Sequence, residues 1–168
     1  MYNRQRAVQY AEMYWNNRNP NFRYFGEDNC TNFVSQVLFA GGIPMEYADS
    51  PGKGWWYRRQ GGGKDQWSYS WTVAHALYQY LLKKRSHGLR AVVYDRPEQL
   101  QLGDLISYDW EGDGRWNHFT VVTYVDKQRN VYVHANSTNS RYRFWNYHDS
   151  PAYTENTRYT FFHIVSSS

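Results

Sequence analysis

Apolar positions recur with helical spacing through the first 85 residues and then alternate as in strands. Between residues 4 and 17, Ala7, Val8, Ala11, Tyr14 and Trp15 share one helical face, and Asn19-Pro20 ends the run. Over residues 30–40, Phe33, Val34, Val37 and Leu38 form a stripe to bury. Asp28 or Asn29 stands in the N-cap place, and Gly41-Gly42 followed by Pro44 stops the helix. Val73, Ala74, Leu77, Tyr78 and Leu81 predict a third helix over about 71–84. Ser68 or Ser70 can cap it, and Lys83-Lys84-Arg85 suits its C-terminal dipole. Five β-branched and aromatic runs then predict strands at 91–94, 104–108, 119–125, 131–135 and 159–165. Helices first and antiparallel strands after them read as an α+β fold. Residues 41–70 and 136–157 are polar and aromatic and are predicted as loops. Long loops beside a compact sheet are often functional.

The length, 168 residues, fits a single domain spanning 1–168 with a core of useful size. No run of about 18 apolar residues occurs, which excludes a transmembrane helix from the sequence pattern. The start, Met-Tyr-Asn-Arg-Gln-Arg, has no apolar signal-peptide region. The chain is therefore expected to be cytosolic, or to be a domain of a longer protein that is secreted or wall-associated. A net charge of +4 and a pI near 9.1 suit polyanions such as the acidic polymers of a bacterial wall. Lys and Arg are scattered, with only Lys83–Arg85 clustered, so a nucleic-acid binder is not expected. Aromatic residues make up 20% of the chain, more than a core needs, which predicts that some are exposed as a binding surface.

One cysteine excludes an internal disulfide and a cysteine-based zinc site. Cys30 opens the second predicted helix in Asp28-Asn29-Cys30-Thr31-Asn32-Phe33. There the helix N-terminus lowers a thiol pKa and offers N–H groups to an oxyanion. The bland alternative, a buried cysteine in a helix, has similar weight on spacing alone. A nucleophilic cysteine needs a base, and six histidines are present. His118 opens a strand directly after a turn-rich loop, which would hold an imidazole rigidly at a sheet edge. His134 and Asn136 stand two apart on the next strand and share a face. If His118 shares that face, either could hold its far nitrogen.

The loop Asp109-Trp110-Glu111-Gly112-Asp113-Gly114 has the beginning of a calcium loop but carries Thr120 at the twelfth position. It reads as a glycine-rich turn between strands, with no metal expected. The mid-chain aromatics, Trp55-Trp56-Tyr57 with Trp67, Tyr69 and Trp71, fit either a stacking platform or a small core pinning the loops.

Taken together, Asp-Asn-Cys-Thr-Asn-Phe-Val-Ser-Gln with Ala-Gly-Gly, and Leu102 to His118, Leu-Gly-Asp-Leu-Ile-Ser-Tyr-Asp-Trp-Glu-Gly-Asp-Gly-Arg-Trp-Asn-His, resemble the Putative amidase domain family of Gram-positive bacteria. That family is akin to the NlpC and CHAP peptidases of the papain-like superfamily. The resemblance covers nearly the whole chain. It implies a papain-like core, with the nucleophile on a helix N-terminus packed on a small antiparallel sheet that carries the base. It also implies hydrolysis of an amide bond, in peptidoglycan or a peptide. The acyl-transfer chemistry needs no cofactor, and a monomer is expected. Carried over by position, Cys30 is the nucleophile and His118 the base. Asn136 is favoured narrowly over His134 as the third member, and Trp55, Trp56 and Trp116 are expected to bind substrate. The family's usual Asp-Cys pair is Asn29-Cys30 here, with the acid one residue earlier at Asp28.

Overall fold

The computed structural model describes residues 1–165. Four helices come first: α1 (Arg4–Tyr14), α2 (Cys30–Ala40), α3 (Tyr69–Thr72) and α4 (Ala74–Leu82). A two-stranded hairpin of β1 (Tyr57–Arg58) and β2 (Gln66–Trp67) lies between α2 and α3. After them come β3 (Arg90–Tyr94), β4 (Leu105–Asp109), β5 (His118–Val125), β6 (Val131–Ala135), β7 (Ser140–Phe144) and β8 (Arg158–Val165). These six form one antiparallel sheet in the order β3-β8-β4-β5-β6-β7. The fold is mixed α+β, as the order of the patterns predicts.

Several boundaries differ from the sequence reading. The third helix is two helices, because Val73 is extended (φ −115°, ψ 123°) between α3 and α4. Its carbonyl still accepts from the Leu77 amide, so the break re-caps the chain instead of ending it. The segments predicted as loops contain β1, β2 and β7. Two-residue strands lie below what period-2 patterning can detect, and Ser-Arg-Tyr-Arg-Phe has too few apolar residues to announce itself. The α2 stop is where Gly41-Gly42 places it. A Cβ on Gly41 would lie 2.3 Å from the Tyr2 ring, and Gly42 has φ +96°.

The sheet has two buried faces. Helices α1, α2 and α4 cover one, packing Ala7, Phe33, Val37 and Leu77 against Leu105, Phe119, Val121 and Phe162. On the other face Ile106, Tyr108, Val122, Val133 and Phe161 pack together with Tyr147 from the loop after β7. The N-terminus is tied to the sheet through Asp104, which is fully buried. Its carboxylate takes the Arg4 guanidinium at 2.7 Å, the amides of Gln101 and Ile164, and His163 Nδ1 at 3.0 Å. The acid of the Leu102-Gly103-Asp104 motif is thus a structural clamp, in which each carboxylate oxygen has a partner. Among the described residues no helix is long and apolar enough to cross a membrane.

Candidate active site

Cys30 is the first residue of α2, and its helix has no side-chain cap. Asn29 occupies the N-cap place in helical conformation (φ −92°, ψ −4°), so its carboxamide cannot fold back onto the first-turn amides. Instead its oxygen accepts from the Phe25 amide (3.1 Å) and the Asn32 carboxamide (3.0 Å), while its NH2 donates to Asn136 (3.3 Å). No N-cap side chain covers the first amides of α2, and the one at Thr31 points to the Cys30 sulfur itself. That is the arrangement an oxyanion requires.

The sulfur is seated against the backbone on either side of His118. Cys30 Sγ lies 4.0 Å from the Asn117 carbonyl and receives the Phe119 N–H. The sheet register explains why that amide is free. β6 leaves β5 at the pair Val121↔His134, so the β6-facing amide of Phe119, two residues before, is beyond the ladder. Thr31 adds its amide and, at 3.7 Å, its hydroxyl. Cys30 and His118 open on one cleft of about 710 Å³. Its walls include Phe25, Trp67, Tyr69, Trp110 and Trp116, with Glu27, Asp28 and Arg115 among the charged residues.

Electrostatically, burial outweighs the helix dipole. Cys30 is 8% exposed, and burial pushes its thiol above the usual range, with Asp28 adding to the rise. The amides of Phe119 and Thr31 oppose this without cancelling it. The expectation of a thiol made acidic by the helix N-terminus is therefore corrected. Burial, helped by the Arg143 guanidinium, pushes His118 down to about 3. At neutral pH the pair is a thiol and a neutral imidazole, and not a thiolate–imidazolium pair.

Asn136 and His134 do not reach His118. Val121 pairs with His134, and His118 is three residues from Val121, so the side chains of His118 and His134 leave opposite faces of the sheet. His134 is fully buried on the helix face. Its Nδ1 accepts from the Thr123 hydroxyl (2.7 Å) and the Tyr142 amide (3.3 Å). Asn136 lies just past β6, where its NH2 donates to the carbonyls of Tyr14 (3.0 Å) and Asn17 (3.1 Å) and its oxygen accepts from Asn29. It fastens the end of α1 to the start of α2. The nitrogen of His118 that points away from its backbone, Nε2, lies 3.2 Å from the Tyr147 hydroxyl. Tyr147 falls in a segment predicted as a loop, and a lone tyrosine in such a loop carries no periodic signal.

The three tryptophans expected to bind substrate separate. Trp116 lines the cleft, stacked on Tyr78 at 4.2 Å, with its amide donating to His75 Nδ1 at 3.2 Å. Trp55 and Trp56 do not line it. Trp55 has no exposed surface; it lies 4.7 Å from Trp71 and donates its indole N–H to Ser35. Trp56 is 3% exposed and donates to the Lys53 carbonyl. Trp55 belongs to the main core on the helix face, and Trp56 lies outside it against Tyr47 and Arg58, while Trp67 and Tyr69 from the same aromatic group reach the cleft. In the Asp109 loop the carboxylate accepts the amides of Gly112 (3.1 Å), Asp113 (3.3 Å) and Gly114 (2.8 Å), so it organises a turn. A Cβ on Gly112 would lie 2.4 Å from the Asn156 carbonyl, which accounts for glycine there. Among the described residues no group of three or more His, Cys, Asp or Glu side chains could hold a metal ion.

Two proteins of Bacillus subtilis (strain 168) are similar to this chain. "Uncharacterized protein YhbB" is 51% identical over 167 residues, which cover 99% of this chain and 51% of that protein. "Uncharacterized protein YjcM" is 31% identical over 140 residues, 79% of this chain and 30% of that protein. The chain thus spans about half the length of the first and under a third of the second. No solved structure gives a significant match. The family model described as "Putative amidase domain" matches residues 1–162, and the description points to amide hydrolysis in general. With nearly its whole length matched, this chain belongs to the Putative amidase domain family.

Proposed function

We propose that this domain is a cysteine-dependent amide hydrolase of papain-like type, with Cys30 as nucleophile and His118 as general base, acting on a peptide amide of peptidoglycan. One observation carries the reading: the sulfur at the first turn of α2 is held by the backbone on both sides of His118, and both side chains open on one aromatic-walled cleft. Because both groups rest neutral, the thiol proton passes to His118 as sulfur attacks the carbonyl carbon, and no ion pair is formed beforehand. The uncapped amides at the start of α2 hold the oxyanion. Collapse breaks the C–N bond as the imidazolium gives its proton to the leaving amine. A thioester remains. Water, deprotonated by His118, attacks the thioester and releases a carboxylic acid and the thiol. The net charge of +4 and the cleft's aromatic walls suit an anionic, sugar- and peptide-bearing polymer. In a longer protein such a domain would act outside the cell or at the wall.

Digestion of purified peptidoglycan, with the released ends identified by mass spectrometry, tests this reading. New amine and carboxyl ends made by the wild-type protein, and not by Cys30→Ala, support it. Equal release by Cys30→Ala overturns it. The depth and neutrality of Cys30 favour one rival, a silent module that holds wall fragments. Retention of fragments with no new ends would establish that rival instead.

A further inference from the structure

We infer that Tyr147 is the positioning residue for His118, and that a directed hydrogen-bond chain, His118 Nε2–H to Tyr147 Oη, Tyr147 O–H to Ser140 Oγ, and Ser140 O–H to the Thr138 carbonyl, fixes the imidazole in its Nε2–H tautomer. The direction follows from the last link. A carbonyl can only accept, so at 3.1 Å from Thr138 the Ser140 hydroxyl spends its single proton there. Ser140 Oγ therefore accepts from Tyr147 Oη (3.0 Å) and from the Arg143 guanidinium (3.1 Å). The phenol proton being committed to Ser140, Tyr147 Oη is the acceptor for His118 Nε2 at 3.2 Å. Reversing the chain would leave two oxygens facing each other with no proton between them.

The surroundings hold the chain in place. Tyr147 is 2% exposed, and burial pushes its phenol up to about 12, so it keeps its proton. Arg143 lies 4.0 Å over its ring and is itself paired with Asp149 at 3.1 Å. The Tyr147 backbone is left-handed (φ +58°), a conformation a bulky non-glycine residue keeps only where its surroundings demand it. The Nε2–H tautomer leaves Nδ1 bare. Nδ1 is the ring nitrogen nearer the residue's own backbone, and that backbone is what holds the Cys30 sulfur. A tyrosine from the loop after β7 thus does what was expected of a residue on β6. The catalytic part of this inference rests on the Cys30–His118 reading above; the tautomer does not. Nitrogen NMR of the histidine-labelled protein at neutral pH reads the tautomer directly. The expected result is Nε2–H with bare Nδ1 in the wild type and a mixture in Tyr147→Phe. Turnover of Tyr147→Phe should fall on the order of tenfold in kcat with KM unchanged, the loss of one hydrogen bond to the base. Should Tyr147→Phe not fold, Ser140→Ala serves, because it frees the phenol proton to turn toward Nε2 and shifts the same signals. Protonated Nδ1 in the wild type, or an unchanged tautomer in the variants, overturns the chain. A wild type that cleaves nothing but shows the Nε2–H tautomer, lost in Tyr147→Phe, upholds the chain and removes the catalytic reading alone.

Discussion

His118 and His134 are buried histidines on adjacent strands, and burial is the largest cause lowering both, to about 3 and about 4. They differ in what surrounds them. His134 has its Nδ1 filled by Thr123 and Tyr142, its ring edge-on to Trp15 at 6.2 Å, and no place in the cleft wall. His118 has one nitrogen engaged by Tyr147 and otherwise faces the cleft shared with Cys30. A low pKa alone would have marked both as functional. His134 Nε2 is likewise without a partner, so an unpaired nitrogen does not separate the two; the cleft that His118 shares with Cys30 does.

The largest effect expected from this contrast is on turnover. Cys30→Ala should lose about 10³-fold or more in kcat while keeping the far-ultraviolet circular dichroism of the parent, and His118→Ala should lose nearly as much, because the two act as a unit. His134→Ala should leave kcat within a few fold. Its cost should appear in urea unfolding, at about 1–3 kcal/mol for a lost buried side chain and a stranded Thr123 hydroxyl. A large kcat loss in His134→Ala with unchanged stability would erase the distinction between the two histidines.

A second effect concerns acid stability. Both folded-state values lie below the unfolded histidine value of about 6.5, so between the two the unfolded chain binds protons that the native state refuses. Stability should be complete above about pH 6.5 and fall as pH drops from there toward about 3, by on the order of several kcal/mol for the pair. His118→Gln and His134→Gln should each flatten part of that slope in urea titrations run at several pH values. Slopes identical to the parent's would show that neither histidine resists protonation.

The smaller effects are chemical and local. Iodoacetamide should label Cys30 slowly at pH 7, with a rate that climbs as pH passes above the ordinary thiol range, because the free enzyme holds a thiol. Fast, pH-independent labelling at neutrality would reveal a preformed thiolate. Asn136→Ala should cost about 1–2 kcal/mol in stability through its lost bonds to Tyr14, Asn17 and Asn29, with kcat changed only a few fold. A kcat loss as deep as that of His118→Ala would return Asn136 to the catalytic group.

The sequence made Cys30 and His118 visible because each sits at an element boundary that periodicity and capping residues reveal. The relation of His118 to His134 was not visible. It depends on which residue of β5 pairs with which of β6, and a shift of one residue reverses every face. Tyr147 was hidden for a different reason: its place is fixed by tertiary packing of a polar, aromatic segment with no period. The burial of Trp55 and Trp56 was concealed likewise, since composition alone cannot tell a platform from a plug. The Asp109 loop was read correctly as a turn from its glycines, although its acids resemble ligands. The thiol's rise depends on desolvation, which exists only once the cleft has walls.

The place of β8 bears on how this chain is made. It comes after every other described strand, yet lies inside the sheet, between the edge strand β3 and β4. During synthesis β3 therefore has no neighbour on the sheet side, and Asp104 lacks the Ile164 amide and His163, until residues 158–165 have left the ribosome. The helices and the β4–β5–β6 meander can gather earlier, but the sheet closes only with the final segment. Such long-range closure slows folding and leaves strand edges open in the meantime. A nascent chain stalled before residue 158 would carry both Cys30 and His118 and still be open to aggregation and proteolysis.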